Sequence, residues 1–510
     1  MVSNSYTPSE KEFVKLAGEF NLLTVYKIVN ADLETPVSAF MKLARPEYSF
    51  LLESAEGGER WGRYSFIGCE PMEVIGCQAG RMLGTPGKRG AVEVGNPVDF
   101  LFKKMDSFRV SEDDLDLPFR GGAVGYLSYD LLPFIEDVEL NSHEGLDVPD
   151  MMFMLTKTSA AFDHLLGRLI LMANVVIPEG SSPSVAREFY REATASIERM
   201  INALSAGISC DLSRDIQDLP REMDFNGVSS NRRREEYQDM VIAAKEHIFA
   251  GDVFQVVPSQ RFSVPLRCPT FSIYRSLRSE NPSPYMFYLR FADLALIGSS
   301  PEPLVKKSGG KAIIRPIAGT RPRGMTETED RTLAEELLAD LKERAEHLML
   351  VDLARNDLGR VCNPGTVKVT RMMEVEKFSE VMHIVSEVEG ELREDCDNRD
   401  LLRASFPAGT VCGAPKIRAC QIIDELESER RGPYAGAAGY ISYNGDMDTC
   451  IAIRTILCHE GTAYVQAGAG IVADSDPAME YEETRNKARA LIRAIRLSEA
   501  REVRNDSAYR

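Results

Sequence analysis

Residues 437–458 read AAGYISYNGDMDTCIAIRTILC. Two runs rich in β-branched, aromatic and small apolar residues flank Asn444-Gly445. An Asn-Gly pair suits the positive φ of a tight turn, so the segment is predicted to be a β-hairpin. Toward the C-terminus follow a strand-like AYVQAGAGIV (463–472) and a closing helix from Pro477. Toward the N-terminus lies a long helical pattern over about 330–358, then several strands, DVFQVVPSQRFSVPL (252–266) read as one strand, and an amphipathic helix over about 235–250. Further back, GGAVGYLSYDLL (121–132) and RLILMANVVI (168–177) are strand-like and end in a helical stretch near 185–204. The polar stretch 205–237 has weak periodicity and scattered Gly, Pro and Ser, and reads as a linker. Many hairpins with interspersed helices predict an α+β fold, with large antiparallel sheets forming a β-sandwich-like core surrounded by helices, not a doubly wound parallel sheet. The linker divides it into 1–215 and 235–500.

Composition narrows the function. The 510 residues are 44% hydrophobic and 27% charged, which is ordinary globular usage. A net charge of −18 argues against nucleic acid, whose phosphates need concentrated Lys and Arg. The one basic run, Arg232 to Arg234, is followed at once by Glu235 and Glu236. The N-terminal residues contain no apolar signal core, and the longest apolar run, 169–177, falls far short of the roughly 18 residues that suggest a membrane span. Ten cysteines lie scattered without C-x-x-C pairs or zinc spacing, and none sits in a G-x-C-x-G elbow. Reduced thiols in a cytoplasmic protein are the expectation.

Several residues break local rules. RPIAGTRPRG (Arg315–Gly324) cannot be a helix interior, because proline lacks an N–H and clashes with the preceding turn. It exposes Gly319-Thr320 between rigid and cationic neighbours. Glu346 lies on a helical stripe with Met349, Leu350 and Leu353, where a carboxylate is costly unless partnered; it is a stripe-edge surface residue or a ligand. Glu483 stands near the start of the last helix, where it either pairs with Lys487 at i+4 or, with Glu346, provides the few oxygens a magnesium ion takes from protein. Arg454, on the strand TCIAIRTILC among small apolar residues, wants a carboxylate from protein or ligand. Gly468 and Gly470 weaken a strand unless something approaches the backbone closely; a bulge is the other explanation. His383 among apolar residues is a core histidine or an acid/base group.

Blocks in order along 235–495 carry a resemblance. They include GDVFQVVPSQRF, GSSPEPLV, RPIAGTRPRG, EHLMLVDLARNDLGRVC, VMHIVSEVEG, GTVCGAPKIRA, RRGPYAGAAGY, DTCIAIRT and QAGAGIVADSDPAMEYEETRNKARAL; the N-terminal half adds LLESAE and RYSFIG. The sequence resembles the chorismate-utilising enzymes, and within them the family of anthranilate synthase large subunits. The resemblance implies that Gly319, Thr320, Tyr434, Arg454, Gly468, Ala469, Gly470 and Lys487 hold chorismate. It implies that Glu346 and Glu483 bind Mg2+, that Glu302 protonates the departing 4-hydroxyl, that His383 is the base for pyruvate loss, and that Thr410 sits near the ring. Relatives that use a lysine nucleophile carry it at Ala318, and water-using relatives carry a lysine base at Gln255. A methyl cannot attack and an amide cannot deprotonate water, so both positions favour ammonia. The implied reaction is amination at ring carbon 2 followed by pyruvate elimination to anthranilate, the first step of tryptophan biosynthesis.

Without a cysteine elbow, ammonia has to come from a separate glutamine amidotransferase subunit in a hetero-oligomer. The family's feedback site for tryptophan would be lined by Glu53, Ser54, Pro284, Tyr285 and Met286. Two rivals remain: an enzyme that stops at 2-amino-2-deoxyisochorismate, and a non-catalytic tryptophan sensor.

Overall fold

A computed structural model of the chain describes residues 5–54, 62–83, 92–93, 95–111, 115–141, 143–208, 225, 227–377 and 381–508. Most of the stretch read as a linker (209–224 and 226), and Ala55-Glu56 of the LLESAE block, lie outside the described residues.

The Asn-Gly hairpin forms as expected. Strands Ala437–Ser442 and Met447–Ile451 pair antiparallel, and Gly445 turns at φ +88°. Pairing spreads from both edges of the hairpin. Ala437–Ser442 joins Gly122–Leu127, which joins Met151–Asp163. Met447–Ile451 joins Pro303–Ser308, then Lys311–Ile314 and Val381–Glu391, the last flanked by Ile317–Pro322 and Lys368–Lys377. A second sheet runs Leu22–Asn30, Arg168–Val176, Met151–Asp163, Tyr64–Gln78, Tyr48–Glu53, Tyr285–Phe291, Leu294–Ser300, Thr455–His459, Thr462–Gly468 and Ser259–Pro265. The long strands Tyr64–Gln78 and Met151–Asp163 serve both sheets, and their mutual register shifts between Gly68 and Glu73. Every pairing between these strands is antiparallel. Strands from 1–215 and 235–500 join in both sheets: Tyr48–Glu53 lies beside Tyr285–Phe291, and Gly122–Leu127 beside Ala437–Ser442.

Period-two alternation sends one set of side chains between the sheets, where Phe50, Phe66, Phe119, Tyr126, Leu289, Leu296 and Tyr440 are buried together. The outer face of one sheet packs on helices Pro97–Asp106, Leu341–Gly359, Asn398–Ser405 and Lys416–Leu426. The other packs on Pro36–Leu43, Pro183–Leu204, Thr270–Glu280 and Pro477–Ala508. The result is the expected α+β architecture, two antiparallel sheets between two helical layers. Among the described residues no helix is long and apolar enough to cross a membrane, and the nine described cysteines are free thiols.

Three local readings change. The helix expected over 330–358 is two, Glu327–Ala339 and Leu341–Gly359. Asp340 breaks it by turning extended (ψ 112°) so that its carboxylate caps the second helix, accepting from the N–H groups of Lys342 and Glu343. DVFQVVPSQRFSVPL is interrupted at 257–258, between Gln255–Val256 and Ser259–Pro265. Arg454 is not on a strand; it has φ +50° in the link between Met447–Ile451 and Thr455–His459. The reason is topological. Those two strands belong to different sheets, so the chain must cross over there. Pro301-Glu302 makes the equivalent crossover between Leu294–Ser300 and Pro303–Ser308. The crossovers are bonded side by side: Ile451 N–H donates to Glu302 O at 3.0 Å, and Ser299 N–H to Arg454 O at 3.0 Å.

Candidate active site

Where the strands change sheets, a cavity of about 370 Å³ opens. Its wall includes Glu302, Glu346, Thr410, Tyr434, Arg454, Gly468, Gly470, Glu483 and Lys487. These come from two crossovers, two helices, a short 3-10 turn, a strand end and the loops beside it, so folding alone assembles them.

Arg454 has no carboxylate within ion-pair distance among the described residues, and desolvation pulls its pKa down, opposed by the charges of Tyr434 and Glu483. A desolvated guanidinium facing a cavity is a seat for an anion, best a carboxylate that it can hold through two N–H groups. Tyr434 stands beside it, its phenol pushed up to about 12 by burial and accepting from the Gly468 backbone. A Cβ at Gly468 would lie 2.8 Å from Pro258 O and 2.9 Å from the Tyr434 hydroxyl, which is why that position is glycine.

Glu302 differs electrically. Burial pushes its carboxyl up to about 8, while the neighbouring Thr410 hydroxyl and the Lys487 ammonium pull the other way. It is a neutral acid near pH 7, with a proton to give. Lys487 donates to Gly468 O at 3.0 Å and pairs with Glu483 at 2.7 Å. The i+4 pairing of Glu483 and its place at the cavity thus coexist.

Glu346 and Glu483, from helices Leu341–Gly359 and Pro477–Ala508, face one space. Gln255 Nε2 donates to Glu346 Oε1 at 3.2 Å, and the missing Cβ of Gly470 leaves room for that amide, which a Cβ would approach to 2.8 Å. Glu480 joins them, its carboxyl raised by burial and by the charge of Glu483. Among the described residues no three His, Cys, Asp or Glu side chains form a closed metal cage. Crowded carboxylates on an open wall fit a hard cation that completes its shell with water and ligand oxygens, the habit of magnesium.

Four expected residues lie next to the cavity-lining residues rather than among them. Gly319 (φ +68°) and Thr320 follow the cavity-lining Ala318 at a bulge in Ile317–Pro322. His383 pairs across from Thr320; its Nδ1 lies 2.8 Å from Gly319 O, which fixes the proton there and makes Nε2 the basic nitrogen. Burial lowers its pKa and keeps it neutral. Ala469 is buried, its N–H donating to Pro258 O at 3.2 Å. The arginines of RPIAGTRPRG are braces: Arg315 pairs with Glu376, Arg321 with Asp340 and Glu343, and Arg323 with Asp330.

Sequence reading passed over Lys342, Glu480 and Gln466, all on the wall. Helical spacing could have found two of them, since Lys342 is four residues before Glu346 and Glu480 three before Glu483. Strand alternation puts Gln466 on the face of Gly468.

A second cavity, about 380 Å³, lies between the sheets and is lined by all five residues expected there: Glu53, Ser54, Pro284, Tyr285 and Met286. The Glu53 carboxylate is buried and accepts from Tyr274 at 2.5 Å and Arg278 at 3.0 and 3.2 Å. Ser54 Oγ is buried and has no partner among the described residues.

Residues 48–493 match the family model described as chorismate binding enzyme. The chain belongs to this family. Anthranilate synthase component 1 of Aquifex aeolicus is 46% identical over 495 residues, covering 96% of this chain and 98% of the relative. Its counterpart in Acetivibrio thermocellus is 44% identical over 502 residues, covering 98% and 100%. Among solved structures, anthranilate synthase component I from Streptococcus pneumoniae superposes with a TM-score of 0.72 at 36% identity, covering 91% of this chain and 98% of that one. A menaquinone-specific isochorismate synthase from Escherichia coli, at 18% identity and TM-score 0.68 over 96% and 99%, shares the fold. The cavity at the sheet crossovers lies within the matched span.

Proposed function

We propose that this chain is the large subunit of an anthranilate synthase. It aminates chorismate at ring carbon 2 with ammonia, expels the 4-hydroxyl, and eliminates pyruvate to leave anthranilate. The observation that carries the reading is the meeting of an unpaired guanidinium, Arg454, and a neutral acid, Glu302, in one cavity of a chain 46% identical to anthranilate synthase component 1.

Chorismate carries two carboxylates and a ring hydroxyl. Arg454 and the Tyr434 hydroxyl bind one carboxylate. The other lies toward Glu346 and Glu483, which would hold magnesium; when bound, the ion supplies positive charge against that carboxylate. Glu302 gives its proton to the departing hydroxyl oxygen, so water leaves rather than hydroxide. Lys487, beside Glu302, stabilises the carboxylate left behind. His383 takes the ring proton at Nε2 during pyruvate loss. Ala318 and Gln255 on the wall offer neither an attacking amine nor a base for water, which leaves ammonia as nucleophile.

The ammonia source in this reading is a glutamine amidotransferase subunit. Exposed apolar side chains beside cavity residues support a docked partner: Leu341 (78% exposed) precedes Lys342, Phe254 (73%) precedes Gln255, and Met479 (72%) precedes Glu480. The cavity between the sheets is assigned to tryptophan, whose ammonium suits Glu53, so that the end product of a cytoplasmic pathway restrains its first step.

Incubating the purified chain with chorismate, magnesium and an ammonium salt tests the reading through anthranilate fluorescence and pyruvate release. Consumption without pyruvate would assign an enzyme that stops at the amino intermediate, and no consumption would leave only a sensor.

A further inference from the structure

A run of buried polar contacts leads into the cavity wall from behind. Arg431 and Glu427, 3% and 6% exposed, form a doubly bonded ion pair, with Arg431 Nε donating to Glu427 Oε2 at 2.9 Å and its Nη2 to Oε1 at 2.6 Å. Two further guanidinium N–H groups hold Val411 O at 3.0 Å and Val257 O at 2.6 Å. Glu427 Oε1 lies 2.9 Å from Ser259 Oγ, and Ser259 Oγ lies 2.8 Å from Gln466 Nε2.

The order of protons along this run is forced. A carboxylate paired with arginine only accepts, so the Ser259 hydroxyl spends its one hydrogen on Glu427. Ser259 Oγ must then accept, and its neighbour on Gln466 must be the NH2 group. Flipping the amide would set two oxygens 2.8 Å apart with no hydrogen between them. The Gln466 carbonyl oxygen is therefore held away from Ser259. Among the described residues it has no partner, and it is buried on a residue that lines the cavity and is only 9% exposed. Strand alternation places Gln466 on the same face as Gly468, whose missing Cβ would meet the Tyr434 hydroxyl.

Most buried acceptors in folded proteins are satisfied by protein, water or ligand, and one open to the wall of a ligand cavity is placed to take a donor from what binds there. We infer that Gln466 is a specificity-determining residue whose amide oxygen, fixed in direction by the run Arg431–Glu427–Ser259, accepts a hydrogen bond from an N–H or O–H of the reactants. The inference rests on the proposed reaction, in which two groups can donate: ammonia and the ring hydroxyl of chorismate. The carboxylates and the enol ether only accept.

Steady-state kinetics of the full chain with ammonium as nitrogen source test this, with anthranilate fluorescence from the wild type first showing that the proposed reaction occurs. Gln466→Met keeps the length of the side chain and removes the acceptor. One KM should rise about five- to tenfold, the effect of one lost hydrogen bond, while the melting temperature holds. A rise in the ammonium KM identifies ammonia as the donor; a rise in the chorismate KM identifies the hydroxyl. Ser259→Ala, which frees the amide to flip, should raise the same KM, and the double variant should lose no more than the larger single loss. The Ser259→Ala result stands by itself if Gln466→Met fails to fold. An active wild type whose two KM values stay within twofold in both variants, or two losses that simply multiply, overturns the inference.

Discussion

At the scale of single residues, Glu302 is the sharpest case of environment setting function. Its folded pKa, about 8, stands above the ordinary carboxylate value, so it keeps its proton through neutral pH and loses it as pH rises through about 8. The activity of the acid should fall with that ionisation. We expect kcat/KM to decline above about pH 8 in wild type. Glu302→Gln should cost about 10²- to 10⁴-fold in kcat, the range for general acid catalysis, and should lose that alkaline limb. Linkage gives a second outcome of opposite sign. The unfolded chain ionises this group near pH 4.5 while the folded chain does not, so the stability it contributes falls between those two values. Glu302→Gln should therefore melt no lower than wild type at pH 7, and higher if the relief is complete. Arg431 poses the reverse test. Arg431→Met strands the buried Glu427 carboxylate and should destabilise by about 3–5 kcal/mol, measured by urea denaturation. Residue types at the site were legible because a charge on an apolar pattern is conspicuous. What stayed hidden was partnering: nothing local in the sequence says that Glu427, Ser259 and Gln466 meet across 39 to 207 positions of chain.

At the scale of elements, two helices deliver the acidic groups, and the sequence pattern announced two of them, Glu346 and Glu483. Glu346 sits one helical turn before Leu350, which is buried, so the stripe-edge carboxylate points along the cavity wall. Glu480 and Glu483 share a face near the start of Pro477–Ala508, where the helix dipole favours negative charge. Burial first, and then the charge of Glu483, raise the Glu480 carboxyl, and a divalent cation would offset both. Magnesium should raise the melting temperature of the substrate-free chain, with a hundredfold excess over Kd worth about 2.7 kcal/mol. The shift should vanish in Glu346→Gln and in Glu483→Gln. An unchanged shift in both variants would move the ion elsewhere. Less legible was where elements stop. The pattern over 330–358 runs through Asp340 without a break in apolar spacing, and only the capping geometry of that carboxylate shows two helices. Likewise Arg454 sits in a run of strand formers. Propensity reports what each residue tolerates, and the change of sheet that throws Arg454 to φ +50° is a tertiary decision.

At the scale of the molecule, that change of sheet links the two cavities. The strand ending at Ser300 continues through Glu302, and its neighbour Tyr285–Phe291 forms one wall of the cavity between the sheets. Met447–Ile451 leads into Arg454, and its Asp448 lines the same cavity, accepting from Tyr285 at 2.9 Å and pairing with Lys306 at 3.2 Å. An aromatic amino acid wedged there would press on the two strands whose ends carry the acid and the guanidinium. Because close-packed sheets shift as units, a small separation at Asp448 moves Arg454 relative to Glu302. If tryptophan restrains the enzyme by favouring that displaced arrangement, linkage requires the effect to be mutual. Chorismate at saturation should weaken tryptophan binding by the same factor by which tryptophan weakens chorismate binding, in the usual range of about 5- to 150-fold. Titration calorimetry on the slowed Glu302→Gln chain, with no ammonium present, measures both without turnover. Ser54→Val removes the buried hydroxyl that has no partner among the described residues, and should weaken tryptophan alone, with the chorismate KM within twofold. Equal tryptophan affinity with and without chorismate would mean that the strands do not carry the coupling, whatever occupies the space between the sheets.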